Sequence, residues 1–496
     1  MSVENRTSFG REAIYTSYDK IDKENIREVV QRAMQIHESN SKDIEYLLNY
    51  EKGKQPILTR EKQVRSEINI KVVENHASQI VNFKLSYIFG SPIRYVQKAE
   101  SESKEKNGKK DDLYVTALNE MCFDEHKHVK DQELAKMFLT CGVGYRGAFP
   151  NNGSNFSPFR IVNLDPRSTF IVYGADVFHK PMLAVTYWKE TDDKGILTNV
   201  HYTAYTDTKV YEFDNVMIGE IKESVNGIGC IPIVEYKQDY ERMGCFERVI
   251  GLLDAINVCT SDRINGLAQF VQSFLWFDNI DIDASDFKSL KDAGAFSTQS
   301  REGNQAKIEL IESSLNQTEI QSLSDYLYNQ LLQICCIPSR EAQSGSTTGQ
   351  SSMLAGGWQE AEEEAHRLEE MFDEGEKQFL NVVKHILDRT NDTGIGEIKL
   401  RDIDIRFSRN KIANMLVKTQ GLLNMKTFGI HPRIAIQTAD LFSDAQQVFM
   451  DSQEYLKKAY LSENGNNGKD LQSNPQGDDP ATVKNTQNEQ MAFVGK

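Results

Sequence analysis

At 496 residues and 56.5 kDa, the chain is too long for one ordinary core and divides into about three structural units. Its 39% hydrophobic and 26% charged residues make a foldable composition, neither collagen-like nor mostly disordered. The net charge of −16, with a pI near 5.2, excludes a protein that grips nucleic acid over its whole surface, because phosphate binding needs a cationic footprint.

In chain order, the pattern predicts a helix from Asp22 to about His37. Residues 40–50 and the turn-rich Glu51-Lys52-Gly53-Lys54-Gln55-Pro56 then lead into a mixed-charge stretch. From Ile70 the apolar positions Val73, Ala77, Ile80, Leu85 and Ile88 recur at helical spacing, and Gly90-Ser91-Pro92 ends that helix. Residues 99–112 offer no apolar face and read as a charged loop, followed by helix over about Asp111–Phe138. Between 143 and 240 the period changes. Short alternating runs (145–149, 160–164, 169–173, 182–188, 200–205, 209–213 and 231–236) are separated by turn residues and predict a mostly antiparallel β region.

After Met243-Gly244 helical spacing returns, through Val249, Leu253, Ile256, Ile264, Leu267, Val271 and Phe274. Strand-like 277–282 and 307–312 bracket an Asp/Lys/Gly-rich middle. A second helix, Gln317–Ile337, carries Ile320, Leu323, Leu327, Leu331 and Ile334 and stops at Pro338. Two helices flanking a small β-containing tip predict a stalk with a head on it. Residues 338–352 (PSREAQSGSTTGQSS) lack large apolar groups and read as an exposed, flexible loop.

The clearest pattern follows. Leu354, Trp358, Ala361, Ala365, Leu368, Phe372, Gly375, Phe379, Val382 and Ile386 alternate steps of four and three, which defines one narrow seam down a long helix. Ala361, Ala365 and Gly375 make the seam too small for a lone coiled coil, so it should pack among several subunits or against its own domain. Residues 403–407 return as a strand, 409–460 read as short helices broken at Gly421, Gly429 and Pro432, and the polar stretch after about Ser462 reads as a disordered tail.

Enzyme signatures are missing. No G-x-x-x-x-G-K-[ST] loop occurs, and Gly465-Asn-Asn-Gly468-Lys469 has the wrong spacing in a polar tail. HExxH and G-x-S-x-G are absent too. His126 and His128, with Glu125 and Asp131, could be drawn as a metal site, but a solvated charged helix explains them better. Seven cysteines (Cys122, Cys141, Cys230, Cys245, Cys259, Cys335 and Cys336) form no CxxC pair, which points to reduced thiols rather than metal or disulfide use. The first residues carry no apolar signal-peptide core, and nowhere do about 18 uncharged apolar residues run together, so neither secretion nor a membrane span is expected. No cofactor is implied.

Several strings, in order, resemble the portal proteins of long-tailed, siphovirus-type bacteriophages, the head-to-tail connectors. Leu47-Leu48-Asn49-Tyr50-Glu51-Lys52-Gly53-Lys54-Gln55-Pro56-Ile57-Leu58 is similar to that family's early Y-x-G-x-x-P-I segment. Residues 80–92 (IVNFKLSYIFGSP) resemble its helix ending in an aromatic-Gly-x-Pro turn, and 163–173 (NLDPRSTFIVY) its β-region signature. Residues 231–236 (IPIVEY), followed by Leu253-Asp254-Ala255-Ile256-Asn257 and Ser261-Asp262, match the entry to its first stem helix. The similarity spans about residues 40–460. One departure is that the place after the second stem helix reads Gly345-Ser346-Thr347-Thr348-Gly349-Gln350 instead of the family's Asn/Ser-Gly-rich signature.

The resemblance implies a mainly helical α+β portal fold. Residues 1–243 would form the wing, 244–276 the first stem helix, 277–316 the clip and 317–337 the second stem helix. The tunnel loop would be 338–352, the long wing helix with its returning strand 353–408, the crown 409–461 and the tail 462–496. It implies a ring, usually of twelve subunits, at one capsid vertex, through which double-stranded DNA enters during packaging and leaves at ejection. Terminase and a head-completion (adaptor) protein would dock on the clip, and the major capsid and scaffolding proteins would surround the ring. The tunnel-loop candidates are Arg340, Gln343, Ser344, Ser346, Thr347, Thr348 and Gln350, and the clip candidates are Asp278, Asp281, Asp283, Asp286, Lys288, Lys291 and Arg301. An acidic wall suits a conduit, since each neutralised phosphate adds affinity and hence friction. A packaging ATPase lacks its P-loop here and a nuclease lacks a defined carboxylate set, which leaves another virion structural protein (a capsid or head-tail joining subunit) as the rival reading.

Overall fold

The computed structural model describes residues 10–62, 66–97, 108–151, 157–215, 219–271, 274–278, 307–311, 317–339, 357–389, 399–409, 415–439, 441 and 448–453. The tunnel-loop candidates Arg340 to Gln350 lie outside these residues, as do Asp281, Asp283, Asp286, Lys288, Lys291, Arg301 and the tail. Contacts divide the chain into two units, Met1–Ile412 and Ala413–Lys496.

Helix α1 (Ile26–Glu51) runs without a break through 40–50, well past the expected end near His37. Two cores hold it. Ile26, Val29, Val30 and Ala33 pack on a β-sheet, while Leu47 and Tyr50 belong to the main helical core. Residues 70–75 are not helix. Helix α2 spans only His76–Phe89, with the Asn75 side chain capping Ser78 N–H, because the preceding backbone finds other partners, described below. Where one helix was expected over 111–138 there are two, α3 (Gly108–Asp124) and α4 (Lys127–Cys141). They are separated at His126, whose left-handed φ of 53° cannot continue a helix. Gly142 ends α4 at φ 77°, where a Cβ would overlap the Arg242 carbonyl, so only glycine fits.

The β region forms two sheets. In the six-stranded one, β5 (Thr169–Gly174), β6 (Pro181–Thr191), β7 (Leu197–Tyr205), β8 (Lys209–Asp214) and β9 (Lys222–Val225) pair antiparallel in succession. The short strand β1 (Ile14–Thr16) adds to β5 in parallel. Neither β1 nor β9 has enough alternating apolar residues to announce itself. The second sheet orders β10 (Ile233–Lys237), β3 (Val143–Pro150) and β4 (Phe159–Leu164). A further strand pair joins β2 (Arg94–Gln97) to β13 (Ile403–Arg406), the expected returning strand.

Helix α5 (Ile250–Val271), strands β11 (Phe274–Asp278) and β12 (Lys307–Ile311), and helix α6 (Gln317–Ile334) reproduce the helix–strand–strand–helix order. The strands pair antiparallel, and β11 starts earlier than expected, taking Phe274 out of the helix. The long helix α7 (Trp358–Arg389) buries every seam position from Ala361 to Ile386. Its seam packs within its own chain, against β10, β3, β4 and α2. Gly375 is explained by an aromatic ring and not by a partner helix: a Cβ there would come to 2.5 Å of Tyr236. Phe372 sits beside, with ring centres 4.8 Å from Phe89, 4.8 Å from Tyr236 and 5.5 Å from Phe138.

In the second unit, α8 (Met415–Thr427) continues straight through Gly421, which was expected to break it. The break comes at Gly429, with φ 78°, and α9 (Pro432–Ala439) starts on its proline.

Candidate assembly stalk and its anchors

The α5/α6 pair is amphipathic in two different ways along its length. Near the body, Val249, Leu253 and Ile256 of the first arm and Leu331, Leu332 and Cys335 of the second are buried in the main core. Further out the apolar side chains are only about half covered: Leu267 is 59% exposed, Leu323 49% and Tyr326 60%. Leu323, Tyr326 and Ile334 share one face of α6 by helical spacing. Arg263 donates to Gln321 across the pair. At about 1.5 Å per residue the arms are roughly 33 and 27 Å long, long enough to present a continuous apolar strip.

A backbone strap fixes the first arm. Residues 70–74 lie along α5, and three buried helix side chains read their backbone. Asn265 accepts from Ile70 N–H (2.7 Å) and donates to its carbonyl (2.9 Å). Ser261 Oγ accepts from Val72 N–H (3.0 Å), and Asn257 Oδ1 from Glu74 N–H (2.8 Å). The register follows from geometry: two extended residues rise about 6.7 Å and four helical residues about 6.0 Å, so every second strap residue meets every fourth helix residue. This pairing overrides the helical spacing that 70–75 shows in sequence. Replacing Asn257 and Asn265 together by Ala removes the partners of two part-buried N–H groups, at about 1 kcal/mol each. We expect the Asn257→Ala/Asn265→Ala chain to melt lower and to exchange the amides of 70–74 fast, and unchanged amide protection would contradict the ladder.

Further anchors gather at the root of α5. Tyr50 donates to Asp254 (2.8 Å) and stacks on Phe246, and Asn257 donates to Gln55 (2.5 Å). Arg60 pairs with Asp262 (2.7 Å). Buried Glu247, just before α5, accepts from Arg11 (2.5 Å), Gly10 N–H (3.1 Å) and Gly244 N–H (2.9 Å).

A buried ionic hub ties α4, β3 and α7 together. Glu376 Oε1 accepts from Arg146 (2.9 Å) and Tyr236 (3.0 Å), and Oε2 from Tyr95 (2.6 Å), with Lys127 at 3.1 Å. Asp131 closes the ring of charges, 2.8 Å from Lys127 and 2.7 Å from Arg146. Burial opposes the Glu376 charge, but Lys127 and Arg146 outweigh it and hold the carboxyl below its ordinary range. Burial and the neighbouring Glu376 push the Tyr95 and Tyr236 hydroxyls well up, so both remain donors. The DEHKHVKD segment is therefore not a solvated helix: Lys127 and Asp131 are 3% and 2% exposed.

Among the described residues no group of His, Cys, Asp or Glu could hold a metal, and the seven cysteines are free thiols, all of them pushed up by burial. Of the predicted functional residues, Asp278 closes β11 and the others fall outside the described chain. The strap and the hub had no motif to reveal them, although Tyr50, Gln55, Asp254, Asn257 and Ser261 all lie in strings that carried the resemblance.

A family model described as "Phage portal protein, SPP1 Gp6-like" matches residues 31–459, most of the chain. The chain belongs to this family of phage portal proteins. No curated protein matches it. As a portal protein it is a structural component of the phage head, and its mixed helix and sheet content fits the α+β fold. No helix among the described residues is long and apolar enough to cross a membrane.

Proposed function

We propose that copies of this portal protein close into a ring, the usual dodecamer of the family, at one capsid vertex, forming the conduit for double-stranded DNA during packaging and ejection. The observation that carries this reading is the α5/α6 stalk, rooted in the core and half exposed at Leu267, Leu323 and Tyr326. Apolar side chains fixed in a row on a rigid support call for a protein partner. In this reading α5 and α6 are the stem, the segment between them is the clip, 338–352 the tunnel loop, α7 part of the wing, and 409–461 the crown. Asp278, Asp281, Asp283, Asp286, Lys288, Lys291 and Arg301 would meet terminase during filling and the head-completion protein afterwards. Major capsid and scaffolding proteins would seat the ring in the shell.

The net charge of −16 per copy, repeated around a ring, repels a polyanion from the wall and keeps it mobile. Arg340, Gln343, Ser344, Ser346, Thr347, Thr348 and Gln350 offer weak, exchangeable contacts to phosphates, which position a duplex without reading its sequence. Replacing Gly345–Gly349 with a stiff, Pro-containing segment should leave rings intact in electron micrographs and cut the DNA packaged per head. Normal packaging by that variant would remove the loop from the conduit.

A further inference from the structure

Strand register turns one row of side chains out of the six-stranded sheet. Trp188, His201 and Asp214 stand directly opposite one another on β6, β7 and β8. Their neighbours Tyr187, Tyr202 and Phe213 point the other way, into the core under the sheet. In the outward row the His201 ring lies stacked on the Trp188 indole, with ring centres 4.0 Å and planes 23° apart. Its two nitrogens face two carboxylates: Nδ1 is 2.5 Å from Asp214 Oδ1, and Nε2 is 3.3 Å from Glu190 Oε2. A neutral imidazole carries a single N–H, so one nitrogen would turn a lone pair on a carboxylate. Only the imidazolium, a donor at both nitrogens, satisfies both contacts. Desolvation opposes that charge, but the hydrogen bonds to Glu190 and Asp214 outweigh it and hold the ring above its ordinary value of 6.5. The indole face beneath adds the attraction of a π surface for a cation.

The row sits where the sheet narrows. β5 starts at Thr169, opposite Thr186, and β8 ends at Asp214, opposite His201. The β6–β7 hairpin from Lys189 to Val200 therefore extends past both neighbouring strands, with a register shift between Glu190 and Thr191. The Val200 carbonyl still takes the N–H of Asn215 (2.9 Å). Glu190, His201 and Asp214 thus join three strands at the root of an overhang. The other charged groups on this face are Glu212 and Lys222, opposite each other in the next row. Lys189 points to the opposite face by alternation. In the turn, Asp192 accepts from the N–H groups of Lys194 (3.0 Å) and Ile196 (2.7 Å), and Asp193 and Lys194 stand exposed. His201 is the cation that the pairing places between the two carboxylates.

We propose that Glu190, His201 and Asp214 form a proton-held clasp, which fastens the overhanging β6–β7 hairpin to β8 and frees it when the His201 ring loses its second proton. Opening the hairpin returns the ring to water and to its ordinary affinity for protons. Because the folded ring keeps its proton to higher pH, the clasp contributes in full below 6.5 and is lost as pH rises through the raised folded value. The clasp needs no second copy, so it stands or falls independently of the ring. Mass spectrometry of the full-length chain tests it. Hydrogen exchange at the carbon between the two ring nitrogens, followed for His201, should show it titrating above 6.5 in wild type and lower in Glu190→Gln/Asp214→Asn. Backbone amide exchange over 188–201, corrected for the intrinsic effect of pH, should lose protection several-fold across that titration, while the amides of buried strand β3 hold steady. In His201→Gln the hairpin should show the lower protection at every pH, with β3 again confirming a folded chain. A His201 that titrates at or below 6.5, or hairpin protection that does not change as His201 titrates, would overturn the clasp.

Discussion

Glu376→Gln should cost the fold about 3–5 kcal/mol, the loss typical of removing one partner from a buried ion network. The substitution keeps the side chain's shape, but its single amide oxygen can replace only one of the two carboxylate oxygens that accept from Tyr95 and Tyr236, and it leaves Lys127 and Arg146 with Asp131 as their only buried counter-charge. Urea titration of wild type and variant measures this directly. Lys384→Gln, which breaks the partly exposed pair with Asp388 on the same helix, serves as the control and should cost less than about 1 kcal/mol. Equal losses from the two would show that the hub contributes no more than a surface pair.

The pH dependence has a definite sign. The Glu376 carboxyl is held below its ordinary value of 4.5, so its contribution is present in full above that value. It is lost as pH falls through the depressed range. Wild type should therefore lose stability on acidification more steeply than Glu376→Gln.

The second large effect concerns assembly and not folding. Leu323 and Tyr326 stand well exposed on α6, so Leu323→Glu/Tyr326→Glu should change the stability of the single chain by less than about 0.5 kcal/mol each. If copies meet along this strip, the same change places charge in an apolar contact, and a buried tyrosine anchor alone is commonly worth about 2 kcal/mol or more. The expected outcome is a folded chain, with unchanged circular dichroism, that no longer forms rings. Undiminished ring formation by the double variant would show that the stalk face is not an interface.

Periodicity made strands β3 to β8, β10 and the α7 seam legible, because each buries one face of a regular element. It misled at 70–75, where helical spacing was overridden by three polar side chains of a helix nearly 200 positions away, a contact that no local pattern encodes. It also missed the break at His126, since a non-glycine residue in the left-handed region leaves little trace in composition. The hub was invisible for a related reason. Lys127, Asp131, Arg146 and Glu376 look like ordinary surface charges until the fold brings them together in the core. The family strings carried the missing information without explaining it: Tyr50 and Gln55 of the early segment bond to Asp254 and Asn257 of the stalk entry. Their spacing in sequence reflects a tertiary joint.

The central claim is that identical copies associate head to tail into a closed annulus. Negative-stain electron microscopy of the purified full-length chain at high concentration tests it most directly. The account predicts ring-shaped particles with a central hole, and a field of single chains, fibres or closed shells would contradict it.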